Sequence, residues 1–275
     1  MLDSIDREYG SYGEDNILQL GANEEGKPFL PIRPLILGGD DVTFVCPAKM
    51  AIRYAKRFME YMMAADSVEG IHSELAKSVD CCAGIAILKT SYPFYRGYEL
   101  AEQLCDAAKK KMRGIFADTG EGTSWLDFAI LHGEQAPTLE QIRAQEYAAP
   151  RGNMHFGPYQ VAHGMGTVPK EHRYDIENLL EAVFQFYQGR NAKKGQGCMA
   201  RNKIKEMRWV IQHGEHDARK FLLQLEHIEQ ELPQIKEWKV YEDTKNALWS
   251  GGRTPYVDAI EMMDFIPKED PKNED

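Results

Sequence analysis

The chain has 275 residues, 43% of them hydrophobic and 28% charged, enough for one large domain or two modest ones with real cores. Its formal net charge is -10, so there is no global basic character of the kind that phosphate-driven DNA binding needs, and sequence-specific DNA binding is not expected. No apolar run approaches the roughly 18 residues of a membrane span, and the first thirty residues lack the pattern of a signal peptide.

The chain order begins with a polar, Gly-containing segment, 1–30, in which Asp15 to Leu20 is expected to form a short helix. The pattern then changes. Leu35-Ile36-Leu37 reads as a short buried strand, Gly38-Gly39-Asp40-Asp41 as a turn, and Val42 to Cys46 as a second strand, together a β-hairpin. Ala48 to Ala65 has helical spacing, with Ala51, Ala55, Phe58 and Met62 on one face. Cys81 to Leu88 reads as a buried strand. Tyr95 to Arg113 is a second helix, with Tyr98, Ala101, Leu104, Ala108 and Met112 inward, and Ser124 to Leu131 is a further strand. Residues 31–135 therefore predict an α/β unit with a mostly antiparallel sheet.

Residues 136–275 read as α-helical. Ile176, Leu179, Leu180, Val183, Phe184 and Tyr187 define one amphipathic helix. Ile204 to Ile211, Phe221 to Leu232 and Tyr256 to Phe265 define three more, and Gly189 to Gly197 reads as a loop. The whole is expected to be α+β.

Two adjacent carboxylates at a hairpin tip repel each other, a cost that a divalent cation shared with phosphate removes. Asp40 and Asp41 are thus the candidate metal ligands and catalytic groups. Gly38 and Gly39 permit a tight turn and the approach of a triphosphate. The competing reading is a plain turn, for which Gly and Asp are common choices. Lys109, with Lys110, Lys111 and Arg113, ends the second helix. It either reaches a nucleotide or is solvated and favoured by the helix dipole.

Other constellations carry less. His213-Gly214-Glu215-His216 reads as a helix junction rather than a metal site, and Lys193, Lys194, Arg201, Lys203 and Lys205 as a solvated helix start. Tyr92, Phe94 and Tyr95 either line a base pocket or fill a gap between sheet and helices. Cys46, Cys81, Cys82, Cys105 and Cys198 form no Cys-x-x-Cys pair and read as reduced thiols of a cytoplasmic protein.

The succession of motifs resembles one family. Arg33-Pro34-Leu35-Ile36-Leu37-Gly38-Gly39-Asp40-Asp41-Val42 is followed by Ala83-Gly84-Ile85-Ala86-Ile87, Tyr92-Pro93-Phe94, Leu100-Ala101-Glu102-Gln103-Leu104, Ala108-Lys109 and Ser124-x-Leu126-Asp127-Phe128. This order is similar to the second palm domain of the large polymerase subunit of type III CRISPR effector complexes, and more distantly to GGDEF diguanylate cyclase domains. The helical half, including Thr254-Pro255-Tyr256-Val257-Asp258, resembles that subunit's C-terminal domain.

The resemblance implies an incomplete ferredoxin-like palm, an antiparallel sheet with helices on one face, followed by a helical domain. It implies synthesis of cyclic oligoadenylates from ATP in antiviral defence. Asp40 and Asp41 would bind Mg²⁺ or Mn²⁺, Gly38 and Gly39 would shape the phosphate approach, and Lys109 would contact the triphosphate. The implied partners are a nucleotide, and a type III effector complex with its guide RNA or a chain that completes the palm. The family's palm opens with a strand bearing a further metal-binding Asp. Asp3 and Asp6 lie in a polar stretch and do not match it. The second expectation is therefore a non-catalytic nucleotide- or partner-binding palm remnant, or half of a split enzyme.

Overall fold

A computed structural model describes residues 10–12, 18–20, 31–63, 79–133, 137–150, 152–161, 175–191, 199–213, 215–230, 232–233, 248–249 and 252–265. In chain order the elements are β1 (Gly10–Tyr12), β2 (Leu18–Leu20), β3 (Arg33–Gly38), β4 (Asp41–Val45), α1 (Ala48–Met63), β5 (Cys82–Ile87), α2 (Phe94–Thr119) and β6 (Ser124–Ile130). They continue with α3 (Leu139–Gln145), β7 (Ala148–Ala149), β8 (Gly152–Asn153), β9 (Tyr159–Val161), α4 (Ile176–Asn191), α5 (Arg201–His213), α6 (Glu215–His227) and α7 (Tyr256–Met262). The protein is a mixed α+β structure with small sheets of mixed strand orientation.

The central sheet has the order β5-β6-β9. β5 and β6 are parallel, pairing Cys82 with Trp125 through Ile87 with Ile130. This departs from the expected antiparallel arrangement. The cause is α2, a 26-residue crossover that returns the chain to the same end of the sheet, so the next strand runs in the same direction. β9 pairs antiparallel with the first half of β6, Leu126 facing Tyr159. The short strands β7, β8 and β9 were not legible as strands, because two or three residues carry no alternation.

α2 forms because Leu100, Leu104, Ala108 and Ile115 recur on one face, and all four are buried. Pro93 sits at its start, where a missing N–H costs nothing, and accepts from the Arg96 and Gly97 amides. The helix runs six residues past the expected end at Arg113. It passes through Gly114, whose Cβ position is open, and stops at Gly120, which takes the left-handed conformation (φ 74°) and donates to Phe116 O.

The α2–β5 contact is very close. A Cβ at Gly84 would lie 1.9 Å from Ala101 O and 2.4 Å from Cys105 N. Only glycine lets the helix backbone lie against the strand there. One continuous hydrophobic core then joins α1, the β5-β6-β9 sheet and helices α2 to α7.

Three further expectations change. Leu18–Leu20 is a strand paired with Gly10–Tyr12, not part of a helix; inter-strand pairing overrides local propensity, while Asp15 to Ile17 lie outside the described residues. α1 buries two faces rather than the single expected one: Ile52, Ala55, Met59 and Met63 enter the main core, and Met50 and Tyr54 pack under the hairpin. Gly189 to Asn191 complete α4, whereas residues 192–198, with Lys193, Lys194 and Cys198, lie outside the described residues. No helix among the described residues is long and apolar enough to cross a membrane.

Gly84→Ala is expected to lower stability by about 1–3 kcal/mol, the usual cost of overpacking against atoms that cannot move aside. Urea denaturation checks this; an unchanged midpoint with an unchanged m-value would show that the close approach is not needed.

Candidate functional site

β3 and β4 form a two-residue hairpin in which Gly38 pairs with Asp41, and Gly39 and Asp40 make the turn. Gly39 has φ 62°, a value that a hairpin turn opening on a positive-φ residue requires. Asp40 and Asp41 are both exposed, and neither has an ion-pair partner among the described residues. A Cβ at Gly38 or Gly39 would meet nothing within 4 Å, so the ground beside the acids is open.

The flanking strands are not buried, contrary to expectation. Every residue of β3 is exposed, Leu37 at 71%, and Val42 and Val45 of β4 are exposed too. The reason is topological. The hairpin is a separate two-stranded sheet, so neither of its faces is covered along its length. Among the described residues it is anchored at its base, where Ile32, Phe44 and Cys46 pack on Met50 and Tyr54 of α1.

The tip nevertheless lies near α2. The Asp41 carboxylate acts on Tyr98 and on Cys105, both on that helix. Tyr98 is raised, first by its hydrogen bond to Glu102, with Asp41 adding to it. The Cys105 thiol is raised, mainly by burial; Lys109 pulls it down, and Asp106, Asp41 and Glu102 push it up. Lys109 also acts on Cys82, which burial pushes up to about 12. Asp41 and Lys109 thus act with opposite sign on the same thiol of α2. Both thiols are held protonated and are poor nucleophiles.

The aromatic candidates divide. Tyr92 is half-buried against the core, whereas Phe94 and Tyr95 are each 58% exposed. Tyr95 lies beside the Arg96 guanidinium, which donates to its hydroxyl at 2.7 Å. His213 and His216 stand at the α5–α6 junction, with His213 stacked on Trp209. Lys203 pairs with Glu206 at 2.6 Å and donates to Gln224. Among the described residues no group of three or more His, Cys, Asp or Glu converges as a metal cage. The hairpin acids are hard oxygen donors with open space beside them. That suits Mg²⁺ or Mn²⁺, which keep waters and take phosphate oxygens as further ligands.

A second constellation escaped sequence reasoning. Asp127 of β6 and Asp258 of α7 are both 0% exposed, and His155 lies between them. Its Nε2 is 2.9 Å from Asp127 Oδ1 and its Nδ1 is 3.0 Å from Asp258 Oδ1. Asp127 also accepts from the Phe128 amide at 3.0 Å and pairs with Arg143 of α3. Asp258 accepts from the Phe156 amide at 2.8 Å and from the Tyr159 hydroxyl. Beside them Tyr147 donates to Glu261, which pairs with Arg208 at 2.7 Å. The signal was present: Asp127 and Asp258 are each an isolated acid in an apolar run, and such acids are buried only with partners.

No protein-family model matches the chain, and no curated protein matches its sequence.

If Asp41 lies where Cys105 senses it, Asp41→Asn lowers the Cys105 pKa and Lys109→Gln raises it. Alkylation at pH 8, resolved by peptide mass spectrometry, is expected to speed up in the first variant and slow in the second. Equal rates in all three proteins would separate the hairpin tip from α2.

Proposed function

We propose that this chain is a palm-type nucleotide- and metal-binding protein resembling the large polymerase subunit of type III CRISPR effector complexes. In this reading it acts on ATP and makes cyclic oligonucleotides in antiviral defence, in the cytoplasm, alongside a guide-RNA effector complex. The observation that carries the reading is a pair of adjacent exposed carboxylates on a glycine hairpin, with no ion-pair partner among the described residues, one of which acts with Lys109 of α2 on the same thiol.

Asp40 and Asp41 would hold Mg²⁺ or Mn²⁺ at the tip. Once bound, such an ion lowers the pKa of a hydroxyl nucleophile and neutralises phosphate charge. Lys109 would bind the triphosphate as a point charge, and the open ground at Gly38 and Gly39 would admit it. The bond change is a phosphoryl transfer. A ribose hydroxyl of one ATP attacks the α-phosphorus of the next, a P–O bond forms, the bond to the β-phosphate oxygen breaks, and pyrophosphate leaves with the proton going to solvent.

A second reading is favoured by a specific observation. The hairpin is separate from the β5-β6-β9 sheet, and β5 has an unpaired edge among the described residues. Leu35, Leu37, Val42 and Val45 lie exposed on the hairpin. A palm remnant or half-enzyme, completed by a strand from another chain, accounts for both features. Covering one such side chain fully contributes roughly 1.5–3 kcal/mol.

The test is incubation of the purified chain with ATP and Mg²⁺ or Mn²⁺, with products read by mass spectrometry. A cyclic or linear oligonucleotide is expected. Its formation should fall in Asp40→Asn and Asp41→Asn by more than the ~10–100-fold that loss of an outer-shell partner costs. Product formed equally by both variants would remove the hairpin from the chemistry. ATP binding without product selects the binding or half-enzyme reading; neither binding nor product rejects the nucleotide site.

A further inference from the structure

The His155 ring touches both buried carboxylates. A neutral imidazole has a single N–H, so it can donate to only one of them. The other ring nitrogen would then present a lone pair to a carboxylate oxygen at hydrogen-bond distance, which is repulsive. The competing arrangement places that lone pair on Nε2, accepting from Arg143 Nη2. That contact is 3.4 Å, whereas Nε2 to Asp127 Oδ1 is 2.9 Å. The shorter contact assigns a proton to Nε2, and the 3.0 Å contact to Asp258 assigns one to Nδ1.

We propose that His155 is an imidazolium clasp, charged at neutral pH, that ties strand β6 to helix α7, and that loss of its proton opens the clasp. The surroundings are built for it. Gly157 leaves the space: a Cβ there would lie 2.6 Å from His155 Nε2 and 2.7 Å from Asp127 Oδ1. Asn153 accepts from the His155 amide at 2.8 Å and fixes the loop. Arg253 donates to Phe156 O and, at 2.6 Å, to Gly157 O, and its guanidinium lies over the Phe156 ring.

Among the described residues, the titratable groups placed against the ring are Asp127 from β6, Arg143 from α3, Tyr147 from the turn after it and Asp258 from α7. Behind them, Tyr159 from β9 is bonded to Asp258 and Glu261 from α7 to Tyr147. Burial by itself would push the His155 pKa down. The Asp258 and Asp127 carboxylates outweigh that and raise it from 6.5 to about 9. Removing the proton leaves Asp127 and Asp258 on either side of a neutral ring, with Arg143 paired to Asp127.

The sign follows from linkage. A histidine raised in the folded state stabilises fully below its unfolded value near 6.5, and that stability is lost as pH rises through about 9. The clasp thus holds at neutral pH and releases in alkali.

The experiment uses the full chain with ¹³C-labelled histidine. The His155 ring carbon is expected to report an imidazolium at pH 7.5 and to titrate near pH 9. A neutral ring at pH 7.5 overturns the proposal. In parallel, thermal unfolding is followed from pH 6.5 to 9.5 in wild type and in His155→Gln, whose amide cannot donate from both ends. The wild-type advantage is expected to shrink with rising pH; a constant difference overturns the proton-dependent clasp. Amide exchange separates this from general loosening: α7 should lose protection in alkali before α1 does, and simultaneous loss counts against it. If His155→Gln does not fold, the wild-type titration alone decides.

Discussion

Two fully buried carboxylates, Asp127 and Asp258, set the terms for half of this molecule. Leaving a charge in the interior without a partner costs several kcal/mol, so each must be met by donors. The donors come from places far apart in the chain: the Phe128 and Phe156 amides, the Tyr159 hydroxyl, Arg143 and the two nitrogens of His155. Meeting them draws β6, α3, the loop before β9 and α7 to one point. The surrounding hydrophobic core supplies the bulk of the stability, but apolar contact is non-directional. The charge chain selects which helix end faces which strand.

A different constraint governs how α2 packs on β5. α2 lies against β5 at backbone distance because Gly84 has no side chain. That places the helix face bearing Tyr98, Cys105 and Lys109, and with it the ground opposite the hairpin tip. Among the described residues the hairpin is held at its base, on Met50 and Tyr54. The molecule therefore joins a firmly packed sheet–helix body to an acidic hairpin with bare apolar flanks. A rigid body positions Lys109, while the carboxylates sit on an element whose own faces are uncovered. An enzyme that works alone and a half that needs a second chain both start from this geometry, and the difference between them lies in what covers Leu35, Leu37 and Val42.

Much of the local structure was legible in the residues. The hairpin, α1, β5, α2, β6 and the helices from α4 onward follow from apolar periodicity and from Gly and Pro punctuation. The turn within Gly38 to Asp41 was legible because two β-rich runs flank it, though Gly38 and Asp41 belong to the paired strands and the turn itself is Gly39 and Asp40. The exposure of β3 did not follow, since three successive aliphatic residues look the same whether a sheet covers them or not. The parallel pairing of β5 and β6 did not follow either, because orientation depends on where a crossover lands. His155 gave no local sign, sitting in an irregular stretch with no period to break.

The sequence by itself determined the longer helices and strands from β3 to β6 and from α4 onward, and which residues carry hard oxygen and cationic chemistry, since these depend on neighbours within a few positions. Only the tertiary structure decided that Asp41 and Lys109 act on the same thiol, that the hairpin stands apart from the sheet, and that His155 is enclosed between Asp127 and Asp258. Those relations join residues up to 103 positions apart. They are settled by how buried charges find donors and how closely backbones can approach, which no local pattern records.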